Sequence, residues 1–521
     1  MHMTLAGVLE TSARLFPERL ALIDGPRRVT YLELDQMASR IAGGLASRGI
    51  SHGQVVALTA PNSVEFVAAF YGVLKTGAAV MPLNTLLRAT EIQEQLSFGG
   101  ASAYLCHPGT PALPCGDEGH AAFMQVPGCS LFCVLADSAA SRDDALSVAE
   151  LCEGTNGEFP GVPCEGHDTA IISFTSGTTG SPKAVCVSHE GEYTCLLGTA
   201  ASLGFTRDDV MLAAAPLFTS IAQALVLGPT LAAGGCLVLQ PRFDALAALE
   251  VMAQHRVTLF LGVPTMYHRL AAAAREWSGT EMLRQHWRLG IYGGASMPAE
   301  VRQAFGEAVG VPLQQCYGLT ETRVTAIGRL DASGLRSPDG LLPAPGFRFR
   351  VVDTDMNDVP RGEKGELILR GPGVMKGYLS NDALNADIFR GNWFHTGDVV
   401  EHDADGCYYI VARSKDIISR GGFKVYPADV ERVLRGHQHV ADVVVVGVPD
   451  VEYGEEIGAV FVLHPDAAIA EEGLRQWIRE ALPAHNQPRK LLIRDALPIT
   501  PTGKVVKSAV LEWFQQSAIT M

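Results

Sequence analysis

The feature that most limits the fold is a recurring pair of patterns. A short, wholly apolar run is followed by a capped helical pattern that stops at glycine. Val55-Val56-Ala57-Leu58 is such a run, and Asn62-Ser63 then offers a cap for a helix through Glu65, Phe66, Phe70 and Leu74, ending at Gly77. A strand without polar alternation is covered on both faces, and strands linked through helices run parallel. Thr30-Tyr31-Leu32-Glu33 has the spacing of a capping box, and Leu34, Met37, Ala38, Ile41 and Leu45 follow it with helical period. The alternation resumes between residues 239 and 298, where Val257-Thr258-Leu259-Phe260 reads as a strand before Pro264. The fold class is α/β, with a large N-terminal domain of βα-layered sheets.

A chain of 521 residues is too long for one ordinary core, so two or more domains are expected. Residues 106–166, rich in Gly, Pro, Ser and Cys, read as surface loops with short elements. From 347 to 400 the pattern becomes short strands with glycine turns, as in Gly365-Glu366-Leu367-Ile368-Leu369-Arg370-Gly371, and predicts a small antiparallel barrel-like subdomain. The tail after Asp416 has its own α+β pattern. It runs through a helix near 427–434, strands Val443-Val444-Val445-Val446 and Ala459-Val460-Phe461-Val462, a helix near 474–482, and the short strand Leu491-Leu492-Ile493.

The net charge of -15 comes with no basic cluster, which argues against a nucleic-acid or anionic-membrane surface. A small anionic ligand stays open, because one loop of backbone N–H groups can hold a phosphate. The start Met1-His2-Met3-Thr4 lacks the basic region and apolar run of a signal peptide. The apolar stretch 211–236 is interrupted by Pro216, Gly228, Pro229, Gly234 and Gly235, so a buried strand–turn–helix region is expected rather than a membrane span. The 11 cysteines are scattered without C-x-x-C spacing, as in a reducing cytosol, and a cytoplasmic location is expected. Cys129 and Cys133 have no neighbouring His or Cys partners in sequence and read as ordinary thiols.

The strongest local signal is Thr175-Ser176-Gly177-Thr178-Thr179-Gly180-Ser181-Pro182-Lys183, directly after the apolar run Ile171-Ile172-Ser173-Phe174. Glycines let a backbone approach an anion, hydroxyls donate to it, and a lysine adds charge. The plainer alternative is a Ser/Thr/Gly surface loop, and the preceding strand favours the phosphate cradle. Pro182 before Lys183 and the lack of a hydroxyl after it exclude the Walker pattern.

This loop resembles the signature of the adenylate-forming superfamily, which includes acyl-CoA synthetases, peptide-synthetase adenylation domains and luciferases. Further motifs similar to that family's follow in its order. They are Gly293-Gly294-Ala295, Tyr317-Gly318-Leu319-Thr320-Glu321, Gly365-Glu366-Leu367, Trp393-Phe394-His395-Thr396-Gly397-Asp398, Arg413-Ser414-Lys415-Asp416, Gly421-Gly422-Phe423-Lys424-Val425-Tyr426-Pro427 and Pro501-Thr502-Gly503-Lys504. The set spans nearly the whole chain, and its order makes the resemblance specific.

What the resemblance implies agrees with the chemistry of each residue. Thr175, Ser176, Gly177, Thr178, Thr179, Gly180 and Lys183 would cradle the ATP phosphates. Tyr317 would stack on adenine, beside Gly318, and Gly293, Gly294 and Ala295 would lie flat against the adenylate. Asp398 and Arg413 would hold the ribose. Thr320 and Glu321 would act at the reaction centre, with Glu321 as a hard oxygen ligand for Mg²⁺. Lys504 would stabilise charge on the α-phosphate as a carboxylate attacks it and pyrophosphate leaves. No general base is needed, since the attacking acid is already ionised. The resemblance also implies domains 1–413 and 414–521, the second small and mobile about a hinge at Lys415. Its rotation would bring Gly421, Gly422 and Phe423 to form a thiol tunnel for CoA.

Several positions depart from the family's pattern. Thr219 follows Pro216-Leu217-Phe218 where a histidine is common, which implies a roomier acyl pocket. Ala184 and Ala412 stand where glycines are usual, and His485-Asn486-Gln487-Pro488 stands where a tyrosine–lysine pair is frequent. The pocket assigned to Phe218, Thr219, Ser220, Val263 and Ser296 holds no aspartate for an α-ammonium group and no arginine for a second carboxylate. The expected partners are therefore ATP, CoA and a bulky hydrophobic carboxylic acid: fatty, aryl or polycyclic. Transfer of the acyl group to a carrier protein or a partner ligase, instead of CoA, stays open.

Overall fold

The computed structural model describes residues 3–137, 144–175, 183–330, 336–420, 423–467, 469–499 and 505–519. By contact density the chain forms two units, Met1–Arg348 with Arg370–Phe394, and Phe349–Leu369 with His395–Met521.

The first unit contains two sheets. One has the order Gly377–Tyr378, Lys183–Ser188, Thr169–Thr175, Ala79–Pro82, Val55–Thr59, Ala101–Cys106, Leu131–Val134, Leu146–Ser147. Its strands run parallel from Thr169–Thr175 to Leu146–Ser147, while Lys183–Ser188 is antiparallel to its neighbours. The expected helices cover it. Thr30 and Glu33 satisfy each other's backbone N–H groups at the start of Tyr31–Ala46, and the Ser63 hydroxyl accepts from Phe66 N to open Val64–Lys75. Residues 106–166 hold the expected short elements, but one of them is not at the surface. Leu131–Val134 is a largely buried strand paired with Ala101–Cys106, and helix Cys115–Phe123 precedes it. A four-residue apolar run in a cysteine-rich stretch carries no periodicity that marks it as a strand. Cys129 and Cys133 line this core, and burial pushes both thiols up to about 12, as in ordinary core cysteines.

The second sheet of this unit runs parallel through Leu313–Leu319, Leu289–Tyr292, Leu259–Gly262, Val210–Ala213, Cys236–Leu239 and Leu20–Asp24. An edge-to-face aromatic cluster of Phe260, Tyr267, Trp287 and Phe305 packs with it, with Tyr267 and Phe305 ring centres 5.0 Å apart. The apolar 211–236 stretch becomes strand Val210–Ala213, the helical turns Ser220–Ala222, Gln223–Leu227 and Gly228–Ala233, and strand Cys236–Leu239. Among the described residues no helix is long and apolar enough to cross a membrane.

The two sheets are tied by Asn62, in the loop after Val55–Thr59. Its buried amide donates to Ala213 O (2.8 Å), Ala215 O (3.0 Å) and Gln240 O (3.2 Å), and its Oδ1 accepts from Leu217 N (2.8 Å). One side chain thus brackets the ends of two parallel strands from the other sheet.

In the second unit, strands Gly365–Arg370, Trp393–His402 and Tyr408–Arg413 lie in that order, the last two antiparallel. The C-terminal part is the expected α+β structure. Long strands Val440–Asp450 and Gly454–Leu463 pair antiparallel, and Lys490–Ile493 joins parallel. Alternation divides their valines between two cores. Val443, Val445, Ile457 and Phe461 meet Val430, Leu434, Leu474 and Ile478 from helices Pro427–Arg435 and Glu471–Ala481. On the other face, Val444, Val446 and Val460 meet Val510 and Phe514 of helix Lys507–Ile519.

Asn62→Ala is expected to lower the stability of the first unit by about 3 kcal/mol, because Leu217 N–H and three carbonyls lose a buried partner. Urea unfolding followed by tryptophan fluorescence checks this; an unchanged midpoint would show that the bracket contributes nothing.

Candidate active site

Open α/β sheets bind ligands beyond the C-terminal ends of their strands. In the second sheet, Gly262 is level with Tyr292 and Tyr292 with Gln315, so Val263, Gly293 and Cys316 leave adjacent strands side by side. Gly293 has room for nothing larger: a Cβ there would lie 2.8 Å from Cys316 O and 3.3 Å from Ile221 Cδ1. Gly294 adopts φ +79°, a left-handed conformation that lets the chain turn tightly. Ala295 and Ser296 are exposed, and Val263 is half-buried at the start of helix Pro264–Glu276.

Strand Leu313–Leu319 carries Tyr317 and Gly318, then reverses through Thr320, Glu321 and Thr322 into Arg323–Leu330. The reversal is closed by Thr322 N donating to Leu319 O and Leu319 N donating to Thr322 Oγ1, both at 3.2 Å. Gly318 is obligatory, since a Cβ would overlap Arg323 O. Tyr317 is half-buried, and its carbonyl accepts from Thr325 Oγ1 at 3.3 Å.

Two contacts tie this turn to other expected site residues. Thr320 Oγ1 lies 3.0 Å from Ser220 Oγ, which joins the turn to the segment expected to line the acyl pocket. In that segment Phe218 is half-buried, and Thr219 caps the short helix Ser220–Ala222, its hydroxyl donating to Pro216 O at 2.7 Å. Thr219, which stands where a histidine is common in the family, is therefore turned to its own backbone. On the other side, Glu321 Oε1 accepts from Tyr378 Oη at 2.7 Å, and Glu321 O accepts from Met375 N at 2.7 Å. Tyr378 belongs to the short strand paired with Val185 and Cys186, and the Lys183 ammonium lies 5.4 Å from its ring centre. Lys183 is opposite Thr175 across the hairpin. Ser176, Gly177, Thr178, Thr179 and Gly180 lie outside the described residues.

In the second unit, Asp398 and Arg413 face each other across antiparallel strands, with Arg413 Nε 2.6 Å from Asp398 Oδ1. The Asp398 side chain is 3% exposed and that of Arg413 39%, so the pair opens to solvent on the arginine side. Within strand Trp393–His402, Gly397 has φ +68°, and the Thr396-Gly397-Asp398 stretch is held by Glu366, whose Oε1 accepts from Gly397 N at 3.2 Å and whose Oε2 lies 2.9 Å from His395 Nδ1. Thr396 Oγ1 donates to Leu367 O at 2.6 Å and accepts from Asp398 N at 3.0 Å. Gly365-Glu366-Leu367 was notable in sequence only as a motif; in the structure it holds this stretch of the neighbouring strand. Lys415 sits in the turn Ser414–Asp416, and Asp416 is anchored by Lys507 Nζ at 2.8 Å. Phe423 is 61% exposed, and its ring centre is 5.6 Å from that of His485. Gly421, Gly422 and Lys504 lie outside the described residues.

Sequence reasoning missed Asn62 as a bracket, Glu366 as the holder of the Gly397 stretch and Tyr378 altogether. Each acts through partners far away along the chain. Among the described residues one mixed group has donor atoms close enough to hold a metal ion: His52, Cys164 and Asp168. Asp168 Oδ2 already takes His52 Nε2 at 2.7 Å and Glu165 N at 2.8 Å, so the cluster stands as a hydrogen-bonded surface knot.

Comparison with known proteins gives the family. Residues 9–379 match the family model described as AMP-binding enzyme, and residues 429–504 match the AMP-binding enzyme C-terminal domain. A feruloyl-CoA synthase from an Amycolatopsis species is 34% identical over 504 residues, covering 96% of this chain and 97% of that protein. A long-chain-fatty-acid–CoA ligase of Mycobacterium tuberculosis is 32% identical over 487 residues, 94% and 93% of the two chains. The crystal structure of ATP-bound MatB from Rhodopseudomonas palustris superposes with TM-score 0.87 at 29% identity, covering 99% of both chains. The chain therefore belongs to the AMP-binding enzyme family and is an AMP-forming acid–CoA ligase.

Proposed function

We propose that this ligase activates a bulky hydrophobic acid, fatty, aryl or polycyclic, as its acyl-adenylate and then passes the acyl group to CoA. The observation that carries the reading is the Thr320-Glu321 turn. It touches the acyl segment at Ser220 and, through Tyr378, the phosphate-loop lysine Lys183. A carboxylate and an α-phosphate both have to reach that point.

In the first step a carboxylate oxygen of the acid attacks the α-phosphorus, and the bond to the leaving pyrophosphate breaks. Lys183 and the loop 175–183 hold the phosphates, Tyr317 and Gly293-Gly294-Ala295 hold the adenine side, and Asp398 with Arg413 hold the ribose. Lys504, on the small domain 414–521, offsets the charge that builds on the α-phosphate oxygens. Mg²⁺ suits Glu321: the side chain is half-buried, and Tyr378 engages only one of its two hard oxygens. Bound there, the ion would neutralise phosphate charge. In the second step the CoA thiol attacks the acyl carbon and AMP leaves. The hinge at Lys415 and the segment Gly421, Gly422 and Phe423 serve this step.

The substrate class follows from what the acyl segment offers. Phe218 and Ile221 are apolar, Ser220 and Ala222 are small, Thr219 is hydrogen-bonded to its own turn, and 216–223 carries no charge. The similar proteins named for feruloyl and long-chain fatty substrates are in keeping with either an aryl or an aliphatic chain.

AMP release from a panel of cinnamic, long-chain fatty and polycyclic acids, with and without CoA, tests the reading. CoA-dependent AMP and thioester from one of these classes supports it. Turnover only of small dicarboxylates overturns the substrate class. An adenylate trapped by hydroxylamine, with no CoA product, overturns CoA as acceptor in favour of a carrier protein or partner ligase. Lys504→Ala is expected to cut pyrophosphate exchange by roughly 100-fold or more while the fold is kept. Lys415→Pro is expected to spare pyrophosphate exchange and to remove thioester formation. Equal loss of both steps would contradict a hinge there.

A further inference from the structure

We propose that Tyr378 is a positioning residue of the adenylation site, holding Glu321 for a divalent cation and keeping Lys183 apart from it. The inference rests on the reading that Glu321 binds Mg²⁺ with ATP, and it adds a residue outside the motifs quoted from the sequence.

Tyr378 is buried, and its backbone is clamped on all sides. Its N–H donates to Asn385 Oδ1 at 2.7 Å and its carbonyl accepts from Asn385 Nδ2 at 2.9 Å. Neighbouring amides extend the clamp: Lys376 N donates to Cys186 O at 2.9 Å, Leu379 N to Ala184 O at 2.8 Å, and Met375 N to Glu321 O at 2.7 Å. The ring therefore projects from a fixed base. Its hydroxyl donates to one Glu321 oxygen at 2.7 Å, a short charge-assisted bond, and leaves the other oxygen for a cation. The ring also faces the Lys183 ammonium, 5.4 Å from its centre, a cation–π distance.

A glutamate and a lysine this near a common side chain would gain by pairing with each other. Among the described residues no ion pair joins them. Each meets a different part of one neutral phenol: the carboxylate its hydroxyl, the ammonium its ring. The carboxylate thus stays available to a cation and the ammonium to a phosphate. An ion pair between them would remove both from the substrate at once.

The test is ATP binding to the full-length protein by titration calorimetry, in Mg²⁺ and separately in EDTA. Tyr378→Phe keeps the ring and removes the hydroxyl. It is expected to weaken ATP binding about tenfold in Mg²⁺ and to leave it unchanged in EDTA. Tyr378→Leu also removes the ring and is expected to weaken binding in both buffers. A Tyr378→Phe protein that matches wild type in Mg²⁺ overturns the proposal. So does equal loss in the two buffers, the result of a merely structural role. Glu321→Gln separates this failure from failure of the underlying reading. If it leaves Mg²⁺-dependent binding intact, Glu321 is not the cation's ligand and the reading falls. If it abolishes that binding while Tyr378→Phe does not, only the role of Tyr378 falls.

Discussion

A single buried amide ties the two sheets of the first unit together. Asn62 emerges from one sheet and hydrogen-bonds four backbone groups at strand ends of the other. No isosteric replacement does this: aspartate lacks the donors for the three carbonyls, and leucine has neither donor nor acceptor. The consequence reaches well beyond stability. With Ala213, Ala215 and Leu217 fixed, the acyl segment leaves its strand in one direction, Ser220 meets Thr320, and Ile221 packs against the space that Gly293 leaves open. The position of the Thr320-Glu321 turn is thus set by hydrogen bonds from a loop that follows a strand of a different sheet.

The turn itself is held against strain. Arg323 has φ +57°, a conformation that costs a non-glycine residue about 1–2 kcal/mol. It is retained because the side chain is buried against Glu192, Nε to Oε2 at 2.6 Å, with both side chains at most 2% exposed. Burial drives the Glu192 carboxyl upward, and the Arg323 charge opposes that. A buried pair of this kind adds little net stability, yet removing either partner would leave a charge stranded in the core. Its value is positional. Arg323 is pinned at both ends, so Gly318, whose Cα faces Arg323 O, has one backbone path, and Thr320 and Glu321 follow from it.

Legibility in the sequence tracked the range of the interactions. The capping box at Thr30 and Glu33 spans three residues, and its helix was readable because all the information is local. The valine run 443–446 and its neighbour 459–462 were readable as strands because composition and length suffice. Leu131–Val134 was not, since a buried four-residue strand is recognisable only from the strand it pairs with. Among the site residues, Tyr317, Glu321, Asp398 and Arg413 were found through motif order, and the structure places the last two opposite each other. Glu366 and Tyr378 act across 31 and 57 positions of sequence, and Asn62 across up to 178, so no local pattern announces them. The resemblance named the residues that would touch ATP; it was silent on those that hold them.

The two carboxylates assigned to the nucleotide illustrate how differently such residues must be kept. Asp398 is allowed an arginine partner, while Glu321 is given a neutral phenol. The distinction follows from what each would bind. Ribose hydroxyls are neutral donors, so a nearby guanidinium does not compete with them for charge; Arg413 reaches one oxygen through Nε and adds donors of its own. A divalent cation does compete with a lysine for the same carboxylate. A lysine paired to Glu321 would have to be displaced before the ion could bind, and Lys183 would lose its hold on the phosphates in the meantime. In a chain of net charge -15, keeping that lysine unpaired is the harder requirement. A tyrosine between the two meets it without introducing another charge.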